Sequence, residues 1–104
     1  MKAIVPGYTY ALRNLHPTEG GPRTTEISFV RKEADQDGNL VTVADGTTNE
    51  EVIQMVIDRL KFLDGKLSCP QNELAIDRLE EALMWLECRT SDRISRGVED
   101  SFLD

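Results

Sequence analysis

Residues 48–97 carry the pattern that decides the fold, and they read TNEEVIQMVIDRLKFLDGKLSCPQNELAIDRLEEALMWLECRTSDRISRG. Thr48 and Glu51 have the spacing of a capping box, which marks the first turn of a helix. Apolar residues then recur on one helical face, namely Val52, Ile53, Val56, Ile57, Leu60 and Leu63. We expect Gly65 to end this first helix, because glycine is common just after a helix. Its length would be about 16 residues, or roughly 24 Å.

A second helix is expected to begin at Pro70, because proline is favoured in the first helical turn. One face of this helix carries Ala75, Ile76, Leu79, Ala82, Leu83 and Leu86. Its length would be about 27 residues, or roughly 40 Å, with Gly97 at its end. The short connection between the two helices predicts an antiparallel helical hairpin.

The residues before the hairpin predict strands and turns. Polar and apolar residues alternate weakly at 8–12 and more clearly at 26–31. The Asp37-Gly38 pair indicates a tight turn, and residues 40–43 follow as a return strand. We therefore expect an α+β fold in a single compact unit. Its parts are a small N-terminal antiparallel β-sheet in residues 1–46, a long antiparallel helical hairpin in 47–99 and a tail at 100–104.

The composition indicates one globular domain: the chain has 104 residues, of which 39% are hydrophobic and 30% are charged. No apolar run approaches the roughly 20 residues that span a bilayer, and Pro6 interrupts the start too early for a signal peptide. Cys69 and Cys88 have the sparse spacing typical of reduced cytosolic thiols. We expect a cytoplasmic protein that does not bind membranes.

The net charge of −7 argues against affinity for duplex nucleic acid. Most of this charge lies in the second half, where residues 49–104 carry seven basic and thirteen acidic side chains. An anion site on this protein therefore needs a local concentration of positive groups. Such a site suits a small ligand in a pocket better than a polymer.

Arginines continue the apolar face of the second helix at its far end. Two heptad series show this: Ala75, Ala82, Arg89 and Arg96, and Leu79, Leu86 and Arg93. Because the first helix is shorter, we expect it to cover the second only to about Leu86. Guanidinium groups match phosphate geometry, which favours an anion site. The alternative, that each arginine only interacts with helix carbonyls and the helix dipole, stays open.

An aromatic residue at the other end of the hairpin is the second candidate for ligand binding. Phe62 lies with Asn72 near the loop, so one chain cannot bring Phe62 and Arg93 to one small ligand. Two antiparallel chains could bring these two residues to the same ligand. Phe62 could equally be packed core or dimer interface, and Trp85 with its neighbours favours an oligomer interface or a sheet-packing surface.

No combination of residues indicates catalysis. His16 has no acid partner in the sequence pattern, and no spacing matches a metal site, a nucleophile elbow or a phosphate-binding glycine loop. We therefore expect a binding protein rather than an enzyme, with no metal and no cofactor.

Several segments resemble a known family. Residues 72–86 (NELAIDRLEEALMWL), 89–93 (RTSDR) and 96–99 (RGVE) resemble the hairpin domain shared by two phage anti-defence sponges. These are the Thoeris anti-defence type-one family and the anti-CBASS type-two family. Residues 1–10 and 45–52 (DGTTNEEV) resemble the Thoeris type specifically.

The resemblance implies sequestration of immune signalling nucleotides without cleavage, in the cytoplasm of the infected bacterial host. The implied ligand is a glycocyclic ADP-ribose; related members, as hexamers, also hold cyclic oligonucleotides at a separate site. The implied assembly is a homo-oligomer, a hexamer built as a trimer of dimers, with pockets shared between protomers.

The resemblance also implies roles for individual residues. Phe62 would stack on a base, Asn72 would form a hydrogen bond, and Arg89 and Arg93 would hold phosphate. The full expected ligand-binding set is Arg31, Phe62, Asn72, Arg89, Thr90, Arg93 and Arg96. Two alternatives stay open: a protein-interaction or assembly module, and an enzyme that degrades such nucleotides.

Overall fold

The computed structural model describes residues 1–95. The chain divides between Thr48 and Asn49 into two compact units. Strands form the first unit and helices form the second. This order confirms the predicted α+β class, while the packing of both units into one body stays a prediction.

Five strands make up the first unit, and they form two antiparallel sheets. Their bounds are β1 Lys2–Val5, β2 Thr9–Arg13, β3 Thr24–Ser28, β4 Arg31–Ala34 and β5 Leu40–Ala44. The three-stranded sheet has the order β1-β2-β3, and Tyr10 on β2 is paired with Ile27 on β3. β4 pairs with β5 in the second sheet.

The sequence predicts one continuous strand at 26–31, whereas the structure divides this segment between β3 and β4. The division has a cause in the backbone. The N–H of Phe29 donates to the carbonyl of Tyr8 at 2.7 Å, and the N–H of Val30 donates to the carbonyl of Thr47 at 3.0 Å. The chain therefore changes its pairing partner after Ser28, and the single predicted sheet becomes two.

Gly46 allows the segment that precedes the helices to pass close to this break. A Cβ atom at Gly46 would lie 2.6 Å from both the carbonyl oxygen of Ser28 and the carbonyl carbon of Phe29. Real side chains do not make such contacts with backbone. Glycine is therefore required where Thr47 forms its parallel bridge with Phe29.

Two helices form the second unit: α1 spans Asn49–Lys66 and α2 spans Pro70–Ser95. The predicted starts of both helices are confirmed to within a residue. Gly65 was expected to end the first helix, but it lies inside α1 and has no positive φ. The N–H of Leu67 still donates to the carbonyl of Leu63 at 3.1 Å, so the helical hydrogen bonding continues past Gly65. Gly97 lies outside the described residues.

Little of the described chain is buried. The buried hydrophobic residues among residues 1–95 are Ala11 at 8% exposure, Ile57 at 4% and Ile76 at 8%. Ile57 belongs to α1 and Ile76 to α2, so the core of the second unit lies between the helices. Fourteen large hydrophobic side chains are more than a third exposed. Neither described helix combines the length and apolarity needed to cross a membrane.

Candidate functional site

One stripe of α2 is covered, and outside it only Ala75 among the described residues of the helix is half-buried. The residues of this stripe, which are buried or half-buried at spacings of three and four, are Asn72, Ile76, Leu79, Leu83, Leu86, Thr90 and Arg93. The middle of the stripe is apolar and both ends are polar. Three predicted site residues, Asn72, Thr90 and Arg93, therefore lie on the face of α2 that packs, at its two ends.

Arg89 does not continue this stripe, contrary to the sequence-based expectation. Ala75 is half-buried, but Ala82 and Arg89, at the equivalent heptad positions, are exposed. Seven residues of a straight α-helix fall about 20° short of two full turns, so a heptad position rotates steadily away from a fixed face. The expectation is confirmed for Arg93, which is half-buried, and Arg96 lies outside the described residues.

The first turn of α1 also reaches further along α2 than we expected. Nη2 of Arg89 lies 3.9 Å from Oε1 of Glu50, the second residue of α1. The prediction that α1 covers α2 only to about Leu86 is therefore wrong by roughly one turn. The part of α2 that extends past this contact is Thr90–Ser95.

Phe62 lies on an exposed face at the loop end of α1. Its side chain is 62% exposed, so it is not packed core in one chain. Nζ of Lys66 lies 4.8 Å from the centroid of the Phe62 ring, within the range of a cation–π contact. An exposed ring with a cation beside it can still stack on a nucleobase or pack against a second chain.

Asn72 belongs to a network of hydrogen bonds that connects the two helices at the loop. Its N–H donates to Sγ of Cys69 at 3.4 Å, and the N–H of Cys69 donates to Oδ1 of Asp64 at 3.0 Å. The hydroxyl of Ser68 donates to Oε1 of Glu73 at 3.1 Å. The position of Asn72 is therefore fixed by interactions that the loop makes with both helices.

The two groups of candidate residues lie at opposite ends of the hairpin. Asn72 and Arg93 are both on α2, and 21 residues of helix correspond to about 32 Å. The single chain therefore places Phe62 and Asn72 at the loop end and Arg89, Thr90 and Arg93 at the other end, and it does not bring the two groups together.

Arg31 lies in the first unit, at the start of β4. Its guanidinium carbon is 4.6 Å from the centroid of the Tyr8 ring, and Nη2 is 2.9 Å from Oε1 of Glu33. Sequence reasoning missed Tyr8 as a neighbour of Arg31. The two residues are far apart in the sequence, so no local spacing reveals the pair.

An open groove of about 540 Å³ runs along one side of the hairpin. Its lining residues are Gln54, Ile57, Lys61, Glu80, Leu83, Met84, Glu87, Cys88 and Ser91. An ion pair of 3.4 Å between Nζ of Lys61 and Oε2 of Glu80 connects its two walls. None of the predicted ligand-binding residues lines this groove. Across residues 1–95, no three His, Cys, Asp or Glu side chains gather closely enough to hold a metal ion.

These features define a class of protein: a strand region followed by an antiparallel helical hairpin with polar and cationic residues at its ends. A family described as "Acb2/Tad1, hairpin domain" matches residues 26–91, which is more than half of the chain. The chain belongs to this family, and the resemblance seen in the sequence is confirmed.

A curated relative supports the same assignment. "Thoeris anti-defense 1" of Bacillus phage SBSphiJ7 is 53% identical over 57 residues. The match covers 54% of this chain and 40% of the relative. The chain therefore matches less than half of that protein's length.

Proposed function

We propose that this chain is a phage anti-defence protein that sequesters immune signalling nucleotides without cleaving them, so that the Thoeris effector of the host is not switched on. The observation that carries the proposal is the 53% identity over 57 residues to Thoeris anti-defense 1, together with the family match over residues 26–91. The proposed ligand is a glycocyclic ADP-ribose, and the proposed place of action is the cytoplasm of the infected bacterium. Cyclic di- or trinucleotides of CBASS signalling would bind at a separate site.

The geometry at the far end of α2 suits a diphosphate. Arg93 is half-buried on the packed stripe, Thr90 lies one turn before it, and Arg89 is exposed beside them. Guanidinium forks and a hydroxyl together offer the donors that phosphate oxygens accept. The C-terminal end of a helix also favours cations, which helps to keep arginines there when no ligand is bound. Arg31 and Arg96 complete the proposed cationic set.

The geometry at the loop end suits a base. Phe62 presents an exposed ring, and base–aromatic stacking tolerates any nucleobase. Asn72 is held nearby by the loop network and can both donate and accept hydrogen bonds. These groups would fix the orientation of the ligand, while the arginines would supply most of the affinity.

A complete site in this proposal needs two chains, because the two groups lie about 32 Å apart along α2. The exposed apolar surface of the helices also favours association between chains. Met55 and Phe62 on α1 and Trp85 on α2 are each more than half exposed, and burial of such side chains favours oligomers. We propose a homo-oligomer, a hexamer built as a trimer of dimers, in which the arginine end of one α2 meets the loop end of another chain.

A second candidate function is a protein-interaction or assembly module. The contact between Arg89 and Glu50 favours it, because this arginine already accepts a carboxylate as its partner. Carboxylates of another protein could take the place of Glu50 beside Arg89. This alternative predicts that no nucleotide binds and that assembly is lost at high salt, since salt screens exposed ion pairs.

Calorimetric titration with a glycocyclic ADP-ribose tests the proposal. We expect tight, stoichiometric binding by the wild-type protein and a loss of more than about 100-fold in affinity for Arg93→Glu, because a buried phosphate would face a carboxylate. The matched control is Arg78→Glu, which makes the same charge change at a side chain that is 71% exposed and lies 4.0 Å from the carboxylate of Glu81.

Light scattering on the same samples separates the two candidate functions. The sponge proposal predicts that Arg93→Glu loses the ligand and keeps its oligomer. Dissociation of the oligomer by Arg93→Glu would favour the assembly module. Absence of heat with wild-type protein at micromolar concentration would contradict the sponge.

A further inference from the structure

Glu50 occupies an unusual place for an acidic residue near a proposed phosphate site. It lies in the first turn of α1, and its side chain is only 30% exposed. It begins the covered stripe of α1, whose next members are Ile53, Ile57 and Leu60. Oε1 of Glu50 is 3.9 Å from Nη2 of Arg89. A proposed phosphate-binding guanidinium thus has a carboxylate beside it within the same chain.

The contact between these two groups is weak enough to be exchanged. It is long for an ion pair, and the Arg89 side chain is 41% exposed, so water competes with it. Single ion pairs of this kind add little to stability. A phosphate can approach the same guanidinium with two parallel hydrogen bonds, which is a stronger arrangement. Arg89 can therefore leave Glu50 for a phosphate.

The start of α1 is a favourable place for the Glu50 carboxylate, whether or not Arg89 is beside it. A carboxylate in the first turn of a helix is stabilised by the exposed backbone N–H groups and by the positive end of the helix dipole. The freed carboxylate would then lie close to the bound anion and repel it.

We propose that Glu50 is an internal competitor that sets the ligand affinity and selectivity of the arginine end. The inference rests on the proposed function and deepens it. Without ligand, Glu50 holds Arg89 against α1; ligand binding replaces the carboxylate by phosphate oxygens. An anion with one weak acceptor gains little binding free energy when it replaces the Glu50 carboxylate, whereas a diphosphate can accept hydrogen bonds from several donors at once. Glu50 therefore selects for ligands with adjacent phosphates.

The first unit contains a similar arrangement, which supports the idea of carboxylates as internal competitors. Arg31, the N-terminal member of the proposed cationic set, contacts Oε1 of Glu33 at 2.9 Å. Nε of Arg31 donates to the same oxygen at 2.9 Å. Arg31 and Arg89 of the proposed set therefore each have a glutamate partner.

The test is the affinity of Glu50→Gln for two probes, a glycocyclic ADP-ribose and inorganic pyrophosphate, measured by calorimetry at one fixed, low salt concentration. Glutamine keeps the size of the side chain and removes its charge. We expect Glu50→Gln to bind both probes about two- to fivefold more tightly, the range that an exposed ion pair allows.

Glu80→Gln is the matched control. It removes the same charge from a side chain that is 50% exposed and pairs with Lys61 at 3.4 Å, away from the arginine end of α2. We expect its affinities to equal those of the wild type. In an Arg89→Gln background, Glu50→Gln should produce a smaller gain, because only the repulsion between the carboxylate and the anion is left to remove.

Each outcome separates this inference from the proposed function. Unchanged or weaker binding by Glu50→Gln, with the wild type binding normally, overturns the role of Glu50 and leaves the sponge intact. Tighter pyrophosphate binding by Glu50→Gln without any binding of glycocyclic ADP-ribose keeps the role of Glu50 and removes the proposed ligand. If neither protein binds either probe, both proposals are overturned.

Discussion

The two ends of the helical hairpin are held by different kinds of interaction. At the loop end, three hydrogen bonds connect residues that are close in the sequence. Cys69 donates to Asp64, Asn72 donates to Cys69, and Ser68 donates to Glu73. At the other end, Glu50 and Arg89 form an ion pair of 3.9 Å, in which the Arg89 side chain is 41% exposed. The loop groups are therefore held by local hydrogen bonds, whereas Arg89 can exchange its partner.

This difference matches what each end would do in the proposed function. A stacking ring and an amide orient a ligand best when their backbone is rigid. Arginines that exchange a carboxylate for a phosphate need freedom to move. In the proposed function, the hairpin would thus place a fixed orienting group at one end and an adjustable anion-binding group at the other.

The largest expected effect is on the loop end, through Asp64. Asp64→Ala removes the acceptor for the N–H of Cys69, a contact that is partly buried, and leaves that donor unsatisfied. We expect the free energy of unfolding to fall by about 1–2 kcal/mol. Urea denaturation at one fixed protein concentration measures this.

Asp64→Asn is the control for that prediction, because it keeps an oxygen acceptor without the charge. It should retain most of the stability lost by Asp64→Ala. A cost for Asp64→Ala that is no larger than that of an ordinary surface substitution would show that the loop end is not held by this contact.

A smaller effect, with the opposite sign, is expected at Gly65. The residue is exposed, lies inside α1, and a Cβ atom there would meet nothing within 4 Å. Gly65→Ala should raise the free energy of unfolding by about 0.5–1 kcal/mol, because alanine has the higher helix propensity. Thermal unfolding followed by circular dichroism measures the change.

Gly38→Ala provides the contrasting control, because Gly38 has a φ of 82° that alanine rarely adopts. It should lower the stability. If Gly65→Ala also lowered it, α1 would end at Gly65 with a left-handed residue, as the sequence pattern first indicated.

The smallest effect on stability is expected at the arginine end. Arg89→Gln breaks the ion pair with Glu50, but both side chains are partly exposed and the contact is long. We expect the free energy of unfolding to change by less than about 0.5 kcal/mol. A loss as large as that of Asp64→Ala would mean that Arg89 is structural, and it would remove the contrast between the two ends.

The helical part of the fold could be predicted because its signals are local. The capping pattern at Thr48–Glu51, the apolar spacing and Pro70 define α1, the loop and the start of α2 without knowledge of distant contacts. The features that were assigned wrongly depend on contacts between residues far apart in the sequence, or on small helical rotations that add up along a helix. Gly65 stays helical where the hydrogen bond from Cys69 back to Asp64 spans it, and Arg89 leaves the packed stripe through a rotation that accumulates over heptads.

The strands show the same limit. Alternation predicts strand character at 26–31, but the switch of partner after Ser28 depends on Tyr8 and Thr47, which are far away in sequence. For the candidate site, the sequence indicates the exposed Phe62 and the half-buried Arg93. It does not reveal that Glu50 lies beside Arg89, because no local pattern connects the start of one helix with the end of the next.

Recovery of the ligand after binding tests the central claim most directly. The wild-type protein is incubated with a glycocyclic ADP-ribose, freed of unbound ligand by gel filtration, and denatured by heat, and the released small molecules are separated by chromatography. We predict that ligand co-elutes with the protein and is then recovered chemically intact. Release of a cleaved product, or passage of all ligand in the unbound fraction, would contradict sequestration.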